Sequence, residues 1–309
     1  MMINIIGKRY YFFFLSLLII IPGMIIVISG NLPLSIDFTG GTLLEFQFED
    51  GTMPQPAEIV VVYNTMGIDD VLVQTTGQGS VVARSSFIDE ETHGKVLQAI
   101  EDAFSSPVVV LRYDSVGPTI GREVAVRAGF AVAIAAFGVV IFISFAFRGV
   151  THALRYGICA IFAMVHDVLF VISIAAIGGL LWNWQIDALF LTALLTVIGF
   201  SVQDKIVVFD RVRENSVLHR RLEFEKLVNH SIVQTLQRSI NTQLMTVEFM
   251  LLALVLFGGI TLREFATILL VGLFIGTYSS IFIASPILVV WENKEWRKWF
   301  RPRSSQVSV

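Results

Sequence analysis

The feature that most constrains this chain is a series of apolar runs, each long enough to cross a bilayer. An α-helix rises 1.5 Å per residue, so about 17–25 predominantly apolar residues span the hydrocarbon core. Six runs meet this requirement: Tyr10–Ser29, Val124–Phe147, Tyr156–Leu181, Ile186–Asp210, Gln243–Ile260 and Phe265–Trp291. The chain is therefore predicted to be an α-helical polytopic membrane protein with six transmembrane helices, and the lipid bilayer is its first partner.

Composition agrees with this class. The 309 residues are 55% hydrophobic and only 15% charged, whereas a soluble domain carries about 25% charged residues. The basic residues are scattered over short loops, so no nucleic-acid partner is expected. The single cysteine, Cys159, cannot form an internal disulfide.

The first apolar run follows Lys8 and Arg9 and has the charge pattern of a signal peptide. It is longer than a typical signal-peptide core, and no usual small-residue cleavage site follows it. We therefore interpret it as a retained first transmembrane helix.

The segment from Asn31 to Gly121 is polar and holds 13 acidic residues against three basic ones. Its hydrophobic periodicity alternates between strand and helix. The expected elements are a strand at Leu43–Phe48, a helix at Gln55–Met66, strands at Val71–Thr76 and Val81–Ser85 around a Gly77–Gln78–Gly79 turn, a helix capped by Asp89 and ending at Phe104, and a strand at Val108–Tyr113. This β-α-β-β-α-β order predicts a small α+β ferredoxin-like domain between helices 1 and 2.

Orientation follows from Lys and Arg in the short loops. These residues concentrate after the second run, between the fourth and fifth runs, and after the sixth run. We expect both termini to be cytoplasmic and the acidic domain to be extracytoplasmic. The predicted divisions are 1–30 (N-terminus and helix 1), 31–121 (outer domain), 122–292 (helices 2–6, with a cytoplasmic loop at 211–240) and 293–309 (tail). Glu214–Gln237 is predicted to form a helix along the cytoplasmic surface.

Two charged residues, Asp204 and Lys205, lie near the end of the fourth apolar run. A charge at the centre of a membrane helix costs about 2.5–3.5 kcal/mol on insertion scales, which indicates an ion pathway, a relay or a partner. The alternative is a helix end already emerging into water, with Asp210 and Arg211 at the border.

Four motifs, in order, resemble those of the SecF family of protein-export membrane proteins, within the SecD/SecF group of the RND superfamily. The segment Gly199–Arg211, followed by Arg213–Glu214–Asn215, is similar to the fourth membrane helix of that family. The other three motifs are Ile36–Thr42, Thr235–Thr242 and Gly276–Ile281. Together they cover nearly the whole chain.

The resemblance implies a subunit of the SecDF accessory complex in a prokaryotic cell (inner) membrane, which uses the proton motive force to assist preprotein translocation. It also implies a SecD-like subunit, the SecYEG channel and an unfolded preprotein as partners. The chain has no Walker-type phosphate loop, so nucleotide hydrolysis on this chain is not the expected energy source, and no cofactor is expected.

The resemblance assigns Asp204, Arg238 and Asp167 to a proton-conducting network. Burial favours the protonated form of a carboxyl group and a nearby guanidinium favours the ionised form, so a changing Asp–Arg distance would load and release a proton. Ser201, one turn before Asp204, is the predicted hydrogen-bond partner of that residue. Gln203 stands where the family often has Asn. The alternative is a static buried ion pair that locks helices together.

Two further patterns concern backbone and packing. In Asp37–Phe38–Thr39–Gly40–Gly41–Thr42 the paired glycines predict a tight turn, and the resemblance adds a hinge between the outer domain and the helices. Gly272, Gly276, Ser280 and Ala284 form a small-residue stripe that predicts close helix packing, with a lipid or substrate groove as the alternative.

Lys205 and Glu248 depart from the family pattern, because small or apolar residues are usual at both positions. Since they lie on consecutive helices, we predict an ion pair between them. The alternative is that both side chains reach the interface or a water-filled groove separately.

Three other functions are compatible with parts of the sequence. An RND-type half-transporter for lipid or small molecules would need a larger outer domain than about 90 residues. An intramembrane aspartyl protease using Asp167 and Asp204 would need a Gly-x-Gly-Asp context, which Asp204 lacks. A passive scaffold would carry no proton role.

Overall fold

The computed structural model describes residues 4–51, 53–76, 79–148, 153–243, 249–257 and 260–295. The chain divides into two compact units. One comprises Met1–Pro33 with Val132–Val309, and the other comprises Leu34–Ala131. The first is helical, and the second contains the sheet.

Within the described residues, five helices are long and apolar enough to cross a membrane: Ile6–Ile28, Pro118–Ala146, Leu154–Trp182, Ala188–Leu218 and Leu262–Glu292. They coincide with five of the six predicted spans. The predicted span Gln243–Ile260 includes residues 244–248 and 258–259, which lie outside the described residues, so a sixth crossing stays a prediction.

The helices have the following bounds: α1 Arg9–Ile28, α2 Ile36–Thr39, α3 Pro56–Thr65, α4 Glu90–Phe104, α5 Pro118–Ala146, α6 Ala153–Trp182, α7 Ala188–Leu218, α8 Phe224–Gln243, α9 Phe249–Phe257, α10 Ile260–Ser279 and α11 Ser285–Glu292. A π-helical turn over Ser280–Ala284 joins α10 to α11 without a break.

The region between the fourth and fifth predicted spans differs from expectation. Instead of one surface helix over Glu214–Gln237, α7 continues to Leu218 and α8 begins at Phe224. The two helices run antiparallel, because Asn215 Nδ2 donates to Ser231 Oγ at 2.8 Å while Arg211, one turn earlier, bonds Gln234. Polar side chains on the two facing surfaces explain why the charged sequence packs as a helical pair.

The second unit has the predicted order of strands and helices. Its strands are β1 (Gly41–Phe48), β2 (Val71–Thr75), β3 (Val81–Ser85) and β4 (Val108–Val116), in the order β2-β3-β1-β4 with every neighbouring pair antiparallel. Gly77 and Gln78 of the predicted turn lie outside the described residues.

One hydrophobic core holds this unit together. Alternate residues of β1, one of the two central strands, pack with Ile59 and Tyr63 of α3; they include Leu44, Phe46 and Phe48. Val96 and Ile100 of α4 complete the same cluster. Burial in this apolar cluster also raises the pKa of the Tyr63 hydroxyl. The apolar residues that alternate along β1 in the sequence therefore lie on the side of the sheet that the two helices cover.

Asp89 caps α4 as predicted, accepting the Thr92 backbone N–H at 3.0 Å. Hydrogen bonds from the side chain and backbone of Thr92 lower the pKa of Asp89. The cap therefore stabilises the folded helix above the ordinary pKa of an aspartate, and that stabilisation is lost as pH falls through the lowered pKa.

We expect hydrogen-exchange protection of the first turn of α4 to fall below about pH 4 in the full chain. Asp89→Asn retains a capping oxygen and should make this protection independent of pH over that range. An equal acid-induced loss of protection in Asp89→Asn would show that another group is responsible.

The paired glycines form the tight turn that their motif predicts. Ser35 caps the short helix α2, and Gly40 and Gly41 then adopt φ values of 75° and 137°. A Cβ on Gly40 would lie 2.7 Å from Pro118 Cα, and one on Gly121 would lie 2.5 Å from the Gly40 nitrogen. The start of β1 therefore packs directly against the first turn of α5, where a side chain at either glycine would collide.

An ionic contact ties together three ends of the helical unit. Arg9 binds Glu225 at 3.2 Å and Glu295 at 2.6 Å, and the Tyr10 hydroxyl donates to Glu295 at 2.8 Å. Burial tends to raise the pKa of Glu295, but hydrogen bonds from Tyr10 and Asn293 and the charge of Arg9 leave that pKa below its ordinary value. Helix α1, the start of α8 and the end of α11 are thus joined at one membrane end.

Candidate functional site

A buried polar cluster lies where α6, α7, α8 and the α10–α11 helix meet. Three charged side chains form its centre: Asp167 is 1% exposed, Asp204 is 8% exposed and Lys205 is fully buried. Buried charges are costly unless they are paired or hydrogen-bonded. Each of the three is therefore expected to have a compensating partner.

Asp167 is fully engaged. Its Oδ2 accepts from the Lys205 ammonium at 2.6 Å, from the Ser279 hydroxyl at 2.8 Å and, by a shorter contact, from the Ser201 hydroxyl. Its Oδ1 lies 2.9 Å from His166 Nδ1. The carboxylate is therefore both charge-compensated and saturated with hydrogen bonds.

Asp204 has a different environment. The Ser239 hydroxyl of α8 donates to Oδ1 at 3.2 Å, and the Ser280 hydroxyl makes a long contact with Oδ2 at 3.4 Å. Within the described part of the chain, Asp204 makes no ion pair within 4.0 Å. Hydroxyl groups can donate to a carboxylate or accept from a carboxylic acid, so they can serve Asp204 in either protonation state.

Helix geometry explains how one segment of α7 serves both carboxylates. Ser201 and Lys205 are four residues apart and share a face, which is directed to Asp167 on α6. Asp204 is rotated from Lys205 by about 100° and faces Ser239 and Ser280 instead.

The same rotation operates on the facing helix. Ser279 and Ser280 are consecutive, so their hydroxyls diverge and reach Asp167 and Asp204 respectively. The π-helical turn begins at Ser280, and Ser285 Oγ donates to the Ser280 carbonyl at 2.9 Å. Single π-helical turns inside α-helices occur frequently at functional sites.

The structure brings together five of the residues singled out from the sequence: Asp167, Ser201, Asp204, Lys205 and Ser280. It gives Ser201 a different partner from the predicted one, because the Ser201 hydroxyl bonds Asp167 rather than Asp204. The i to i+3 spacing is compatible with contact, but the hydroxyl turns toward the neighbouring helix.

Two predicted relay residues lie elsewhere. Gln203 is on the exposed side of α7, and Arg238 is on the exposed side of α8. Arg238 lines a groove with Asp210, Arg211 and Gln234, and its neighbour Ser239 is the residue that contacts Asp204. The predicted segment of α8 is therefore at the cluster, with a different side chain pointing inward.

The predicted Lys205–Glu248 pair falls partly outside the described residues, because Glu248 is not among them. The partner that the structure gives Lys205 is Asp167. Gly272 and Gly276 lie against α7, where their added Cβ atoms would come within 2.2 Å of Val197 and 3.2 Å of Ser201. The small-residue stripe thus lets α10 approach the helix that carries Asp204.

Ser239 and Ser279 were not singled out from the sequence, although both lie inside the quoted motifs Thr235–Thr242 and Gly276–Ile281. Hydroxyl residues within otherwise apolar helices are a usable signal for buried polar contacts.

Comparison with known proteins agrees with this architecture. Residues 95–294 match the model of the family "Protein export membrane protein SecD/SecF, C-terminal", and residues 32–52 match the SecD/SecF GG motif. The chain belongs to the SecD/SecF family. The matched regions contain both carboxylates of the buried cluster and the paired glycines.

Individual relatives extend the match over the full length. A protein translocase subunit SecF from Anaerolinea thermophila is 67% identical over 308 residues, covering 100% of both chains. A protein translocase subunit SecDF from Bacillus subtilis is 35% identical over 90% of this chain and 36% of its own length. The crystal structure of SecDF from Thermus thermophilus superposes with a TM-score of 0.82 at 31% identity, covering 95% of this chain and 39% of that one. These similarities and the apolar helices make the chain a multi-pass membrane protein of this family.

Proposed function

We propose that the chain is a SecF-type subunit of a Sec translocase accessory complex, which uses the proton motive force to assist preprotein translocation. The observation that carries the proposal is the pair of unlike carboxylates in the membrane-spanning bundle. Asp167 is neutralised by an internal cation, whereas Asp204 is held by hydroxyls.

The chemistry assigned to Asp204 is reversible protonation. A proton arriving from the outer side binds the Asp204 carboxylate to give the neutral acid, and release on the cytoplasmic side regenerates the carboxylate. Burial makes the ionised form costly, and the two serine hydroxyls can bond both forms. The resulting change in charge at Asp204 shifts the equilibrium between alternative packing arrangements of α7, α8 and α10. Arg238 and Gln203 remain proposed members of this pathway, on the side of the helices away from the cluster.

The remaining architecture is proposed by the same reasoning. The strand order β2-β3-β1-β4 and the order β-α-β-β-α-β support a ferredoxin-like outer domain. Helix α9 supports a sixth crossing between α8 and α10. The relatives from Bacillus subtilis and Thermus thermophilus are single chains named SecDF, and they support a SecD-like partner. The SecYEG channel and an unfolded preprotein complete the proposed assembly.

The export function is tested with inverted membrane vesicles containing the chain, its SecD-like partner and the channel. We expect preprotein translocation to be faster with a proton gradient than without it, and collapse of the gradient by an ionophore to remove that gain. Vesicles lacking the chain provide the control. Translocation that responds to the gradient equally with and without the chain would contradict the proposal.

Topology gives an independent test, because Cys159 is the only native cysteine and is buried. An impermeant maleimide added to intact cells is expected to label Glu91→Cys in the outer domain and to label Glu223→Cys, in the α7–α8 turn, only after permeabilisation. The unsubstituted chain controls for reaction at Cys159. The reverse pattern would overturn the orientation derived from Lys and Arg.

A further inference from the structure

The Lys205 ammonium occupies a cage of oxygen atoms. Its Nζ donates to Asp167 Oδ2 at 2.6 Å, to the Ser201 carbonyl at 3.3 Å and, more closely, to the Ser201 hydroxyl. An ammonium has three N–H donors and no acceptor. Three oxygens therefore match the charged form of Lys205, and the side chain is fully buried there.

The donor set of this cage is one that suits a small hard cation. Carboxylate, carbonyl and hydroxyl oxygens are the ligands that such cations prefer. In ion-coupled transporters, backbone carbonyls within the membrane also coordinate Na⁺. The ammonium of Lys205 thus stands where a free cation would be held by Asp167 and Ser201.

Among the residues that the structure describes, neither an ammonium nor a backbone carbonyl contacts the side chain of the neighbouring carboxylate, Asp204. The Asp204 carboxyl group contacts the Ser239 and Ser280 hydroxyls, which can accept from its protonated form and donate to its ionised form.

We propose that Lys205 is a tethered cation that fills a latent Na⁺ site at Asp167, and that this occupancy leaves H⁺ at Asp204 as the coupling ion. Its coupling role rests on the ion-driven function proposed above, whereas the occupancy of the site does not. Lys205 is a positioning residue in this scheme, because it acts through the charge at Asp167.

The test is the thermal unfolding of the purified full chain in detergent, compared in NaCl and in choline chloride at equal ionic strength. Lys205→Met removes the tethered charge and opens the cage, so we expect its Tm to rise by about 3–8 °C in saturating Na⁺. The wild-type chain and Lys205→Arg, which keep a cation at the site, should show no Na⁺-specific shift. Asp167→Asn combined with Lys205→Met should also show none, because the anionic ligand is gone.

Absence of a Na⁺-specific shift in Lys205→Met would overturn the inference, and so would an equal shift in the wild type. A Lys205→Met chain that is unfolded in both salts also overturns it, because Na⁺ then fails to replace the ammonium. The export assay separates the two proposals. If wild-type export ignores the proton gradient while the Na⁺ shift of Lys205→Met is present, the coupling function fails and the latent site stands.

Discussion

Asp204→Asn is expected to abolish the part of preprotein export that depends on the proton gradient, while the chain stays folded and assembled with its partner. The amide keeps the size of the side chain and can still bond Ser239 and Ser280, but it cannot take up and release a proton. Translocation into inverted vesicles, measured with and without an ionophore, should therefore give the same rate for this variant.

An exposed carboxylate on another helix provides the control. Glu123 of α5 pairs with Arg127 and both side chains lie largely in solvent, so Glu123→Gln converts a carboxylate to an amide without touching the cluster or the groove that holds Arg238. We expect this variant to keep the response to the gradient. If Asp204→Asn also keeps a full response, then Asp204 is not the proton carrier.

The second large effect concerns the stability of the bundle. Asp167→Asn and Lys205→Met are each expected to lower the free energy of unfolding by about 3–5 kcal/mol in Na⁺-free buffer, because each leaves an uncompensated buried charge. The double variant should lie close to the wild type, because both charges are removed together. Unfolding in detergent, analysed as a double-mutant cycle, measures the coupling.

An exposed pair of the same chemical type controls for general effects of charge. Lys95 and Glu91 lie 2.6 Å apart on α4 with both side chains largely in solvent. Lys95→Met and Glu91→Gln are expected to show no measurable coupling, because water screens the pair. Simple additivity of the Asp167 and Lys205 variants would refute the buried ion pair.

Much of the fold could be predicted because it follows from local sequence pattern. The period-2 alternation of apolar residues identifies the strand β1, and the capping residue Asp89 identifies the start of helix α4. The length of each apolar run determines which helices can cross a bilayer. These signals depend only on residues that are near one another in the chain.

The partners inside the cluster could not be derived in this way. Helix periodicity places Lys205 on one face of α7, but it does not determine which neighbouring helix that face meets. The expectation of a partner on the next helix in sequence favoured Glu248, whereas the contact that the structure describes is with Asp167 on the preceding one. Choosing between them requires the three-dimensional order of the helices.

The angular offset between consecutive residues of a helix accounts for the other differences between the predicted and the observed contacts. On α8 the family motif identifies the correct turn, but Ser239 rather than Arg238 faces Asp204. On the α10–α11 helix, Ser279 and Ser280 serve different carboxylates because they differ by about 100° around the helix axis. Motif position alone does not resolve such a difference, since it does not set the rotation of a helix against its neighbours.

The glycine contact between the start of β1 and the first turn of α5 has a mechanical consequence. Gly40 and Gly121 bring two backbones into direct contact with no side chain between them. A single residue, Gly117, separates the end of β4 from the start of α5. Steric contact of this kind transmits torque, because neither backbone can slide without collision. The sheet and the first turn of α5 are therefore expected to move together as one rigid body.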